Sequence, residues 1–431
     1  MNKVLILGSG GREHAIVWAI QHTTTNPTEI FCVPGNAGIG QIAQIANVSV
    51  DDQAAVASFA ESQKIDLTFV GPEAPLAGGI IDLFNERRLR IVGPTAAAAR
   101  LEGSKIFAKD FMVRHQIPTA AYRVAESPSQ AVEQLRSGEF GSAQSSVVIK
   151  ADGLAAGKGV VVAANHAEAE KAIADLMVHD VAGSEAAQRV VLEQALTGPE
   201  ASLLVFADGR DYALMPAARD HKRIGENDTG PNTGGMGTIT DASVLEKSVE
   251  ERVVREIVEP TLAGARDEGF AFKGILFLGL MLTADGPKLL EYNVRFGDPE
   301  TQAILVRLKT DLLSIFEAMY SQTLSRLKVE WAQGSSACVV AANKGYPGKY
   351  GKGAVVEGLD ALNPDAVQVF HAGTSKDAHG RFIATGGRVL GVTAAAENLP
   401  AALNVCYDSL AKIRWPGMQF RRDIGKRAAT V

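Results

Sequence analysis

The segment VVIKADGLAAGKGVVVA, residues 147–163, places two apolar runs on either side of a loop with three glycines. Runs of β-branched residues favour strands and glycines favour tight turns, so the segment predicts strands at residues 147–150 and 160–164 joined by a hairpin. The loop is similar to a Walker A loop in composition, but its spacing differs and Gly159, not Ser or Thr, follows Lys158. We expect a flexible flap whose N–H groups face phosphate oxygens, with an ordinary mobile hairpin as the alternative.

A lysine stands at the base of this hairpin. Lys150 is the last residue of the entering strand, directly before the glycine loop. Lysine carries a compact positive charge on a flexible stem, which suits it to phosphate oxygens. We therefore expect Lys150 and the loop to bind the same phosphates.

The segment KLLEYNVR, residues 288–295, predicts a strand with one polar face. Side chains alternate along a strand, so Glu291, Asn293 and Arg295 share a face. The opposite face is expected to carry Leu290, Tyr292 and Val294. Polar groups are costly to bury without partners, and a hard cation that bridges a carboxylate, an amide oxygen and triphosphate oxygens would supply them. The pattern predicts a metal site, with an edge strand that has a solvated polar face as the alternative.

Two further polar stretches lie near these segments in sequence. FGDPETQ, residues 296–302, places Asp298 and two other polar residues at the start of a predicted amphipathic helix over 302–307, where acids also serve as simple caps. RDHKRIGENDTGPNTGGMG, residues 219–237, contains Asp220 in a loop too long and polar for a mere connection. Such loops are usually functional, and a solvated surface loop is the alternative.

The N-terminal part alternates short apolar runs with helical patterns. We predict strands at residues 4–7, 30–33, 67–70 and 91–92, and helices at 13–21, 52–63 and 80–87. This alternation indicates a doubly wound parallel sheet. The strands end in the loops GSGGREH (8–14), PGNAG (34–38), GPEAPL (71–76) and GPT (93–95). In open parallel sheets, ligands bind outside the carboxyl ends of the strands, where these loops lie.

The first loop does not fit the dinucleotide-binding pattern. Glu13 stands where GxGxxG needs a small residue, and the second strand leads into Pro34 instead of an acid for the ribose. N–H groups at a helix start still form a phosphate cradle, and Arg12 and His14 could hold an anionic substrate. Glycines that serve only a tight strand–helix turn are the alternative.

Composition excludes several classes of protein. The 431 residues have a formal charge of −6, are 46% hydrophobic and 21% charged, and contain no apolar run long enough for a membrane span. A mildly acidic chain offers no broad basic face to nucleic acid. The three cysteines, Cys32, Cys338 and Cys406, are far apart and predict neither a disulfide framework nor a Cys-based zinc site. We expect a globular protein of several domains in the cytoplasm.

Seven motifs occur in one order along the chain: GSGGREH, PGNAG, GPEAPL, LEGSK (101–105), KADGLAAGKGV (150–160), DHKR…DTGPNTGGMG (220–237) and EYNVRFGDPETQ (291–302). This ordered set resembles the phosphoribosylamine–glycine ligase family, also called glycinamide ribonucleotide synthetases, of the ATP-grasp superfamily. FHAGT (370–374) and TGGRVL (385–390) extend the resemblance into the C-terminal strands.

The resemblance implies a multidomain protein of α/β and α+β class. It would combine a Rossmann-like N-terminal parallel sheet, ATP-grasp central domains and a small strand-rich C-terminal domain. The expected boundaries are 1–103 for the N-terminal domain, 104–193 for the first ATP-grasp part with its flap at about 120–192, 194–326 for the second part, and 327–431 for the C-terminal domain. The C-terminal part itself shows strand patterns at residues 336–342, 367–372 and 388–393 before a helical pattern at 399–413.

The resemblance also implies a reaction. Glycine would attack the γ-phosphorus of ATP to give glycyl phosphate, and the amine of 5-phosphoribosylamine would displace phosphate to give glycinamide ribonucleotide. Phosphorylation makes a carboxylate a competent acyl donor, and such steps need cations and N–H donors held in place under a flap that excludes water. The family implies ATP and Mg²⁺ or Mn²⁺, small-molecule partners and a monomer.

The resemblance implies roles for the individual residues that match the family motifs. Lys105 and Lys150 would contact the ATP phosphates, with a flap that includes Gly153, Gly157, Lys158 and Gly159. Backbone groups up to Leu196 would face adenine, while Glu193 and Glu200 would reach its amino group or the ribose. Glu291 and Asn293 would hold the metal ion. Arg295 and Asp220 would orient glycine and stabilise phosphoryl transfer, with Lys150 as the third catalytic residue. The remaining substrate contacts would come from Gly10, Gly11, Arg12, Glu13, His14, Asn36, Gly71, Pro72, Glu73 and Asp298.

Other readings stay open at this point. ATP-grasp enzymes often carry a second acid on the strand before the metal strand, but residues 274–282 contain none, which leaves the number of metal ions open. Another ATP-grasp carboxylate–amine ligase of purine ribonucleotides is the main alternative. A Rossmann-type oxidoreductase and a nucleotide-responsive binding protein without catalysis are the others.

Overall fold

The computed structural model describes residues 2–154, 159–179 and 188–426. The expected flap residues Gly157 and Lys158 lie outside the described residues. Among the helices that the structure describes, none combines the length and the apolar character needed to cross a bilayer.

The N-terminal sheet confirms the predicted parallel arrangement. Its five strands are all paired in parallel and follow the order Gln44–Ile45, Thr28–Pro34, Asn2–Gly8, Leu67–Val70 and Ile91–Val92. The helices of this part are Gly11–Thr23, Gln53–Gln63, Glu73–Ala77, Ile80–Glu86 and Ala96–Gly103. The strands are apolar on both faces because helices cover both sides of a parallel sheet. Each predicted strand is present, within a few residues of its expected ends.

The glycine hairpin belongs to a separate four-stranded antiparallel sheet. Its strands follow the order Tyr122–Ala125, Val190–Gln194, Val147–Ala151 and Val160–Ala163. Lys150 pairs with Val160, and the Ala151 N–H donates to the Gly159 carbonyl at 2.7 Å. Helix Lys105–Arg114 leads into this sheet, and helices Pro128–Arg136 and His166–Met177 bury their apolar side chains against it. The predicted strand–loop–strand arrangement is confirmed.

A ten-stranded antiparallel sheet forms the rest of the framework. Its main path runs Gly286–Asn293, Lys273–Thr283, Glu200–Asp208, Ala218–Asp220, Gly237–Thr240, Ser335–Asn343, Arg388–Ala396 and Gln368–His371. Two short strands, Tyr212–Leu214 and Met418–Gln419, pair at its side. The ladder between Gly237–Thr240 and Ser335–Asn343 joins strands from either side of the boundary predicted at residue 327. One sheet therefore continues from the predicted metal strand into the C-terminal part.

The remaining elements are α-helices, short helical turns and small sheets. The α-helices are Lys247–Val253, Glu259–Asp267, Glu300–Leu305, Leu312–Ser321 and Leu399–Leu410, with a π-helical turn at Val254–Val258. Short 3₁₀ turns occur at Ile39–Gln41, Glu226–Asp228, Leu324–Arg326 and Leu359–Ala361. The small sheets pair Arg223–Gly225 with Thr229–Asn232, and Ala354–Val355 and Thr374–Lys376 with Phe382–Ala384.

The helix expected at residues 302–307 differs from the prediction. It spans Glu300–Leu305, and all six residues are buried, so it is not amphipathic. The helix packs between the first helix, Gly11–Thr23, and strands of the long sheet, which cover all of its sides.

The alternation predicted for the metal strand is wrong at Leu290. Gly279 pairs with Glu291 while Leu280 pairs with Leu289, so Leu290 is the extra residue of a β-bulge. Leu289 is therefore buried with Tyr292 and Val294, whereas Leu290 is only half-buried. Glu291 and Asn293 keep the shared face that the sequence predicted.

The N-terminal sheet is fixed to the rest of the molecule by an aromatic pair. The rings of Phe69 and Phe316 stack with centroids 4.2 Å apart and planes 8° apart, and the Phe316 side chain is fully buried. We expect Phe316→Ala to lower the free energy of unfolding by about 3–5 kcal/mol, because it removes apolar contact and leaves a cavity. Chemical denaturation followed by intrinsic fluorescence measures the change. Val113→Ala, at a side chain that is 58% exposed, is the control, and an equal effect of both substitutions would contradict the packing argument.

Candidate active site

Arg295 joins the N-terminal part to the predicted metal strand. Its guanidinium lies 3.3 Å from a Glu73 carboxylate oxygen and 3.0 Å from one of Glu102, and it donates to the Asn293 amide oxygen at 2.9 Å. The other Glu102 oxygen accepts the N–H of Val294 at 2.8 Å. Burial opposes the charge, but Glu102 and Glu73 raise the pKa of Arg295 above its usual range. Arg295, Asn293 and Glu73 were expected to serve one site, and the structure brings them together.

Glu291 lies among several cations. Its carboxylate is 3.8 Å from the Lys105 ammonium, and its side chain remains partly open to solvent. Burial opposes ionisation, but the positive charges of Lys105, Lys222 and Lys150 together lower the pKa of Glu291 to about 2. The group is therefore a carboxylate at neutral pH. With the Asn293 amide oxygen two residues away on the same face, it offers hard oxygen donors of the kind that Mg²⁺ prefers.

A buried ion cluster lies at the base of the hairpin. The two oxygens of Glu193 contact separate lysines, with Lys109 at 2.9 Å and Lys150 at 3.0 Å. The Lys150 ammonium also donates to the Leu290 carbonyl at 3.0 Å, and Lys109 donates to the Thr119 hydroxyl at 2.7 Å. Both lysines and Glu193 are almost fully buried. This cluster connects the hairpin sheet to the bulge beside Glu291.

The expected adenine-binding residues lie in and after the strand Val190–Gln194, which contains Glu193. Leu196 lies half-buried in the loop after that strand. Glu200 is exposed at the start of the next strand and pairs with Lys222 at 3.1 Å. In the hairpin loop, Gly153 is half-buried and Gly159 is buried.

The first glycine loop is organised by Glu13. One Glu13 oxygen accepts the Gly10 N–H at 2.6 Å, and the other accepts from Arg12 at 2.5 Å. Arg12 also donates to the Phe296 carbonyl at 3.1 Å. A carboxylate thus occupies the helix N-terminus where a dinucleotide would place its pyrophosphate, which agrees with the sequence argument against dinucleotide binding. The Gly10 N–H, expected to face substrate phosphate, already has this acceptor.

The loop at Gly71 also contacts Glu13. A Cβ atom on Gly71 would overlap the Glu13 carboxylate, so this close approach requires glycine. Pro72 and Glu73 follow directly and are half-buried. The strands Asn2–Gly8 and Leu67–Val70 are neighbours in the sheet. The loops that follow them therefore meet, as the parallel arrangement predicts.

His14 and Asn36 bind the C-terminal part. The His371 N–H donates to Nδ1 of His14 at 2.8 Å, and the Asn36 amide donates to the His371 carbonyl at 2.7 Å. Burial, together with His371, lowers the pKa of His14 to about 3, so its ring is neutral at physiological pH. These two residues, predicted to bind substrate, hold the N-terminal loops against residues 371–374.

Asp298 and Asp220 lie near the start of helix Glu300–Leu305. The loop predicted for residues 219–237 is wrong in part, because Asp220 ends strand Ala218–Asp220 of the long sheet and residues 223–232 form a small hairpin. Asp298 is 3.3 Å from Arg388 and accepts from Gln302 at 2.8 Å. A Cβ on Gly10 would lie 3.1 Å from the Asp298 carboxylate, which places Asp298 next to the first glycine loop. The Asp220 carboxylate lies close to Gly235, whose φ of +105° and lack of space for a Cβ demand glycine.

Sequence reasoning missed several charged residues that build this region. They are Glu102, Lys109, Lys222, Glu300 and Arg388. Lys109 follows Lys105 by one helical turn, a spacing that places both side chains on one face of the helix and could have identified it. Arg388 and Glu102 stand inside the motifs TGGRVL and LEGSK, but their partners are remote in sequence.

Comparison with known proteins decides the family. Models of phosphoribosylglycinamide synthetase match the chain in three parts: the N domain at residues 2–102, the ATP-grasp (A) domain at 103–301 and the C domain at 336–427. The chain belongs to the phosphoribosylglycinamide synthetase family.

Individual relatives agree with this family over the full length. The chain is 48% identical over 429 residues to the phosphoribosylamine–glycine ligase of Pseudomonas aeruginosa, covering 99% of this chain and 98% of that protein. The crystal structure of the Thermotoga maritima phosphoribosylamine–glycine ligase superposes with a TM-score of 0.84 at 33% identity, over 98% and 99% of the two chains.

A more distant similarity concerns the fold alone. The biotin carboxylase domain of Hydrogenobacter thermophilus 2-oxoglutarate carboxylase, solved with MgADP, has a TM-score of 0.74 at 15% identity and covers 97% of this chain and 91% of that one. The predicted fold class, with an ATP-grasp centre, is confirmed.

The environment of Asp220 makes a prediction about stability. Burial, with the neighbouring Glu300 carboxylate, raises the pKa of Asp220 from 3.8 to about 8. The folded state then holds a proton that the unfolded state releases, so stability falls as pH rises from about 4 to about 8. We expect Asp220→Asn to raise the melting temperature relative to the parent protein by at least about 2–4 °C more at high pH than at low pH. Thermal unfolding at about pH 5.5 and about pH 8.5 measures this difference.

Asp51→Asn, at an exposed position, is the control for loss of a carboxylate. A melting-temperature difference for Asp220→Asn that is the same at both pH values would contradict the assignment.

Proposed function

We propose that this chain joins glycine to 5-phosphoribosylamine at the expense of ATP, through glycyl phosphate, with glycinamide ribonucleotide, ADP and phosphate as products. Membership of the family, with full-length similarity to phosphoribosylamine–glycine ligases, supports this reaction. The observation that carries the site is the Glu291 carboxylate on the same strand face as Asn293, 3.8 Å from the Lys105 ammonium, with Lys150 bound to the carbonyl of Leu290.

A divalent ion fits the donors on the metal strand. Glu291 and Asn293 offer a carboxylate and an amide oxygen, and no group of three or more acidic, His or Cys side chains suited to a metal occurs among the described residues. Protein ligands would thus be few, as is usual for Mg²⁺ that shares its shell with substrate phosphates and water. We propose Mg²⁺ or Mn²⁺ at this place, where it would neutralise charge on the transferred phosphoryl group.

Cations of the chain would bind the remaining phosphate charge. Lys105 lies 3.8 Å from the Glu291 carboxylate, Lys150 binds the carbonyl of the preceding residue, and the glycine loop begins at Gly153, three residues after Lys150. Leu196 would contact adenine through its backbone, and Glu200 would reach its amino group or the ribose. The resemblance gives Glu193 the same role, but its almost fully buried carboxylate contacts Lys109 and Lys150, so we propose that it binds these lysines and does not reach the nucleotide. Closure of the hairpin would exclude water, which would otherwise hydrolyse an acyl phosphate.

Glycine would bind between the metal strand and the long polar loop. Arg295 has a guanidinium held rigidly by Glu73 and Glu102, which suits it to orient a carboxylate near the phosphates. Asp220 would accept a hydrogen bond from the ammonium group of glycine, and the positive charge of that group would lower the raised pKa of Asp220 when glycine binds.

Phosphoribosylamine would bind at the loops of the N-terminal sheet. Gly11, Arg12, Gly71 and Glu73 border one side of this region, and Asp298 borders the other. The phosphate would use Gly11 and neighbouring N–H groups, because Gly10 donates to Glu13. His14 and Asn36 would shape the loops through their bonds to residue 371.

Several broader expectations remain part of this proposal. They are the domain boundaries at residues 103, 193 and 326, a monomeric enzyme, small-molecule partners only, and a cytoplasmic location. A molar mass near the 45.5 kDa of one chain, measured by light scattering, would support the monomer.

The overall reaction is tested by coupled ADP release. ADP formation should depend on ATP, glycine and phosphoribosylamine together, and glycinamide ribonucleotide should appear in equal amount. Turnover with another carboxylate or another ribonucleotide amine, but not with this pair, would favour the alternative ATP-grasp ligase.

The metal assignment makes a specific prediction. Glu291→Gln keeps the shape of the side chain but removes its charge, so we expect kcat to fall by about 100-fold or more and the Mg²⁺ concentration for half-maximal rate to rise. Steady-state kinetics with a Mg²⁺ titration measures both. Glu357→Gln, which removes an exposed acid paired with Arg414, is the control. Normal turnover of Glu291→Gln at ordinary Mg²⁺ would refute the assignment.

The substrate loops make another prediction. Gly71→Ala would push the Glu13 carboxylate away from its place, so we expect KM for phosphoribosylamine to rise by about tenfold while KM for ATP changes little. Initial-rate kinetics with each substrate varied separately measures the two constants. A rise confined to KM for ATP would place phosphoribosylamine elsewhere.

A further inference from the structure

Two lysines share one buried carboxylate at the base of the hairpin. Lys109, Lys150 and Glu193 have side chains that are 3%, 6% and 2% exposed. Glu193 carries a single negative charge, so the three groups together carry a net charge of +1 when all are ionised. The two lysines differ in their other partners, because Lys150 donates to the Leu290 carbonyl and Lys109 donates to Thr119.

The ammonium groups of Lys150 and Lys109 contact different partners and can therefore play different roles. Lys150 stands on the hairpin strand and reaches the carbonyl directly before Glu291. Lys109 does not reach that carbonyl itself, since it donates a hydrogen bond to the Thr119 hydroxyl, which donates in turn to the Leu289 carbonyl at 2.7 Å. Burial, although opposed by Glu193, lowers the pKa of Lys109 to about 8, so Lys109 is still charged at neutral pH.

The charge balance shows what Lys109 adds. With Lys150 and Glu193 alone, the buried pair would be neutral, and the field of Lys150 at a nearby phosphate would be largely cancelled by Glu193. A second buried cation on Glu193 restores a net positive charge at the same place, and electrostatic effects are strong in a buried site of low polarity.

We propose that Lys109 is a positioning residue that acts as the counter-ion of Glu193 and so leaves the charge of Lys150 available to the phosphates of ATP. This proposal rests on the proposed function only in taking Lys150 as a phosphate ligand. Lys150 keeps a second anchor in the Leu290 carbonyl, so its position does not depend on Glu193 alone.

Binding measurements on the full chain test the proposal without turnover. ADP and adenosine are titrated by calorimetry at about pH 7, where Lys109 is charged. We expect Lys109→Met to weaken ADP binding by about tenfold or more and to leave adenosine binding within about twofold, because adenosine has no phosphate. Lys109→Arg, which keeps the charge, should recover most of the lost ADP affinity.

The double variant separates electrostatics from packing. In Lys109→Met combined with Glu193→Gln, both members of the extra ion pair are gone and Lys150 again carries an uncancelled charge. We expect ADP affinity to return to within about threefold of the parent protein, so that the second substitution rescues the first. If Lys109 only supports packing, the double variant should bind ADP no better than Lys109→Met, and that result would overturn the proposal.

Control variants keep the outcomes distinct. Lys273→Met removes another half-buried lysine, which donates to the Tyr320 carbonyl far from the hairpin, and should leave ADP affinity unchanged.

Lys150→Met should weaken ADP binding. If it does not, the phosphate site of the proposed function is wrong, whatever Lys109 does. If Lys109→Met does not fold, Lys109→Gln replaces it, because the amide has no charge but can still bind the Thr119 hydroxyl. Unchanged ADP binding in that variant would overturn the proposal.

Discussion

The guanidinium of Arg295 is the interaction on which the arrangement of the site depends. It binds Glu73 and Glu102, which belong to the N-terminal part, and Asn293, which belongs to the metal strand. A buried ion pair gains little net stability, but removal of one partner leaves an uncompensated charge and is strongly unfavourable. The ion pairs of Arg295 with Glu73 and Glu102 therefore hold the N-terminal loops and the metal strand in one relative position.

The β-bulge at Leu290 extends this constraint to the hairpin. Leu290, as the extra residue, has no partner in the ladder, and Leu289 belongs to the edge strand of the sheet, so their carbonyls need partners from elsewhere. The Thr119 hydroxyl donates to the Leu289 carbonyl and Lys150 donates to the Leu290 carbonyl, which places the lysine beside Glu291. Bulges near active sites often redirect side chains in this way.

Much of the fold could be predicted from local patterns. The parallel N-terminal strands and the glycine hairpin follow from runs of β-branched residues with glycine or proline after them, which are properties of neighbouring residues. The shared face of Glu291 and Asn293 also follows, because these two residues lie beyond the bulge. The face of Leu290 could not be predicted, since the carbonyls at its bulge are bound by Thr119 and Lys150, which are distant in sequence.

The roles of several charged residues of the site also depend on partners that are distant in sequence. Motif order identified Lys105, Lys150 and Arg295, whereas Lys109 and Glu102 gain their importance from partners at Glu193 and Arg295. A charged residue in a helix is by itself usually solvent-exposed, so only the tertiary structure reveals that these two are buried. The assigned roles of individual residues toward ATP, glycine and phosphoribosylamine remain predictions.

The long sheet has a consequence for any attempt to divide the chain. Strand Gly237–Thr240 is buried throughout and hydrogen-bonded on one side to Ser335–Asn343. A fragment that ended near residue 327 would expose this strand as an open edge with unpaired N–H and C=O groups, and such edges recruit strands from other molecules. Expression of the two pieces as separate polypeptides should therefore yield aggregates unless both are present together to complete the ladder.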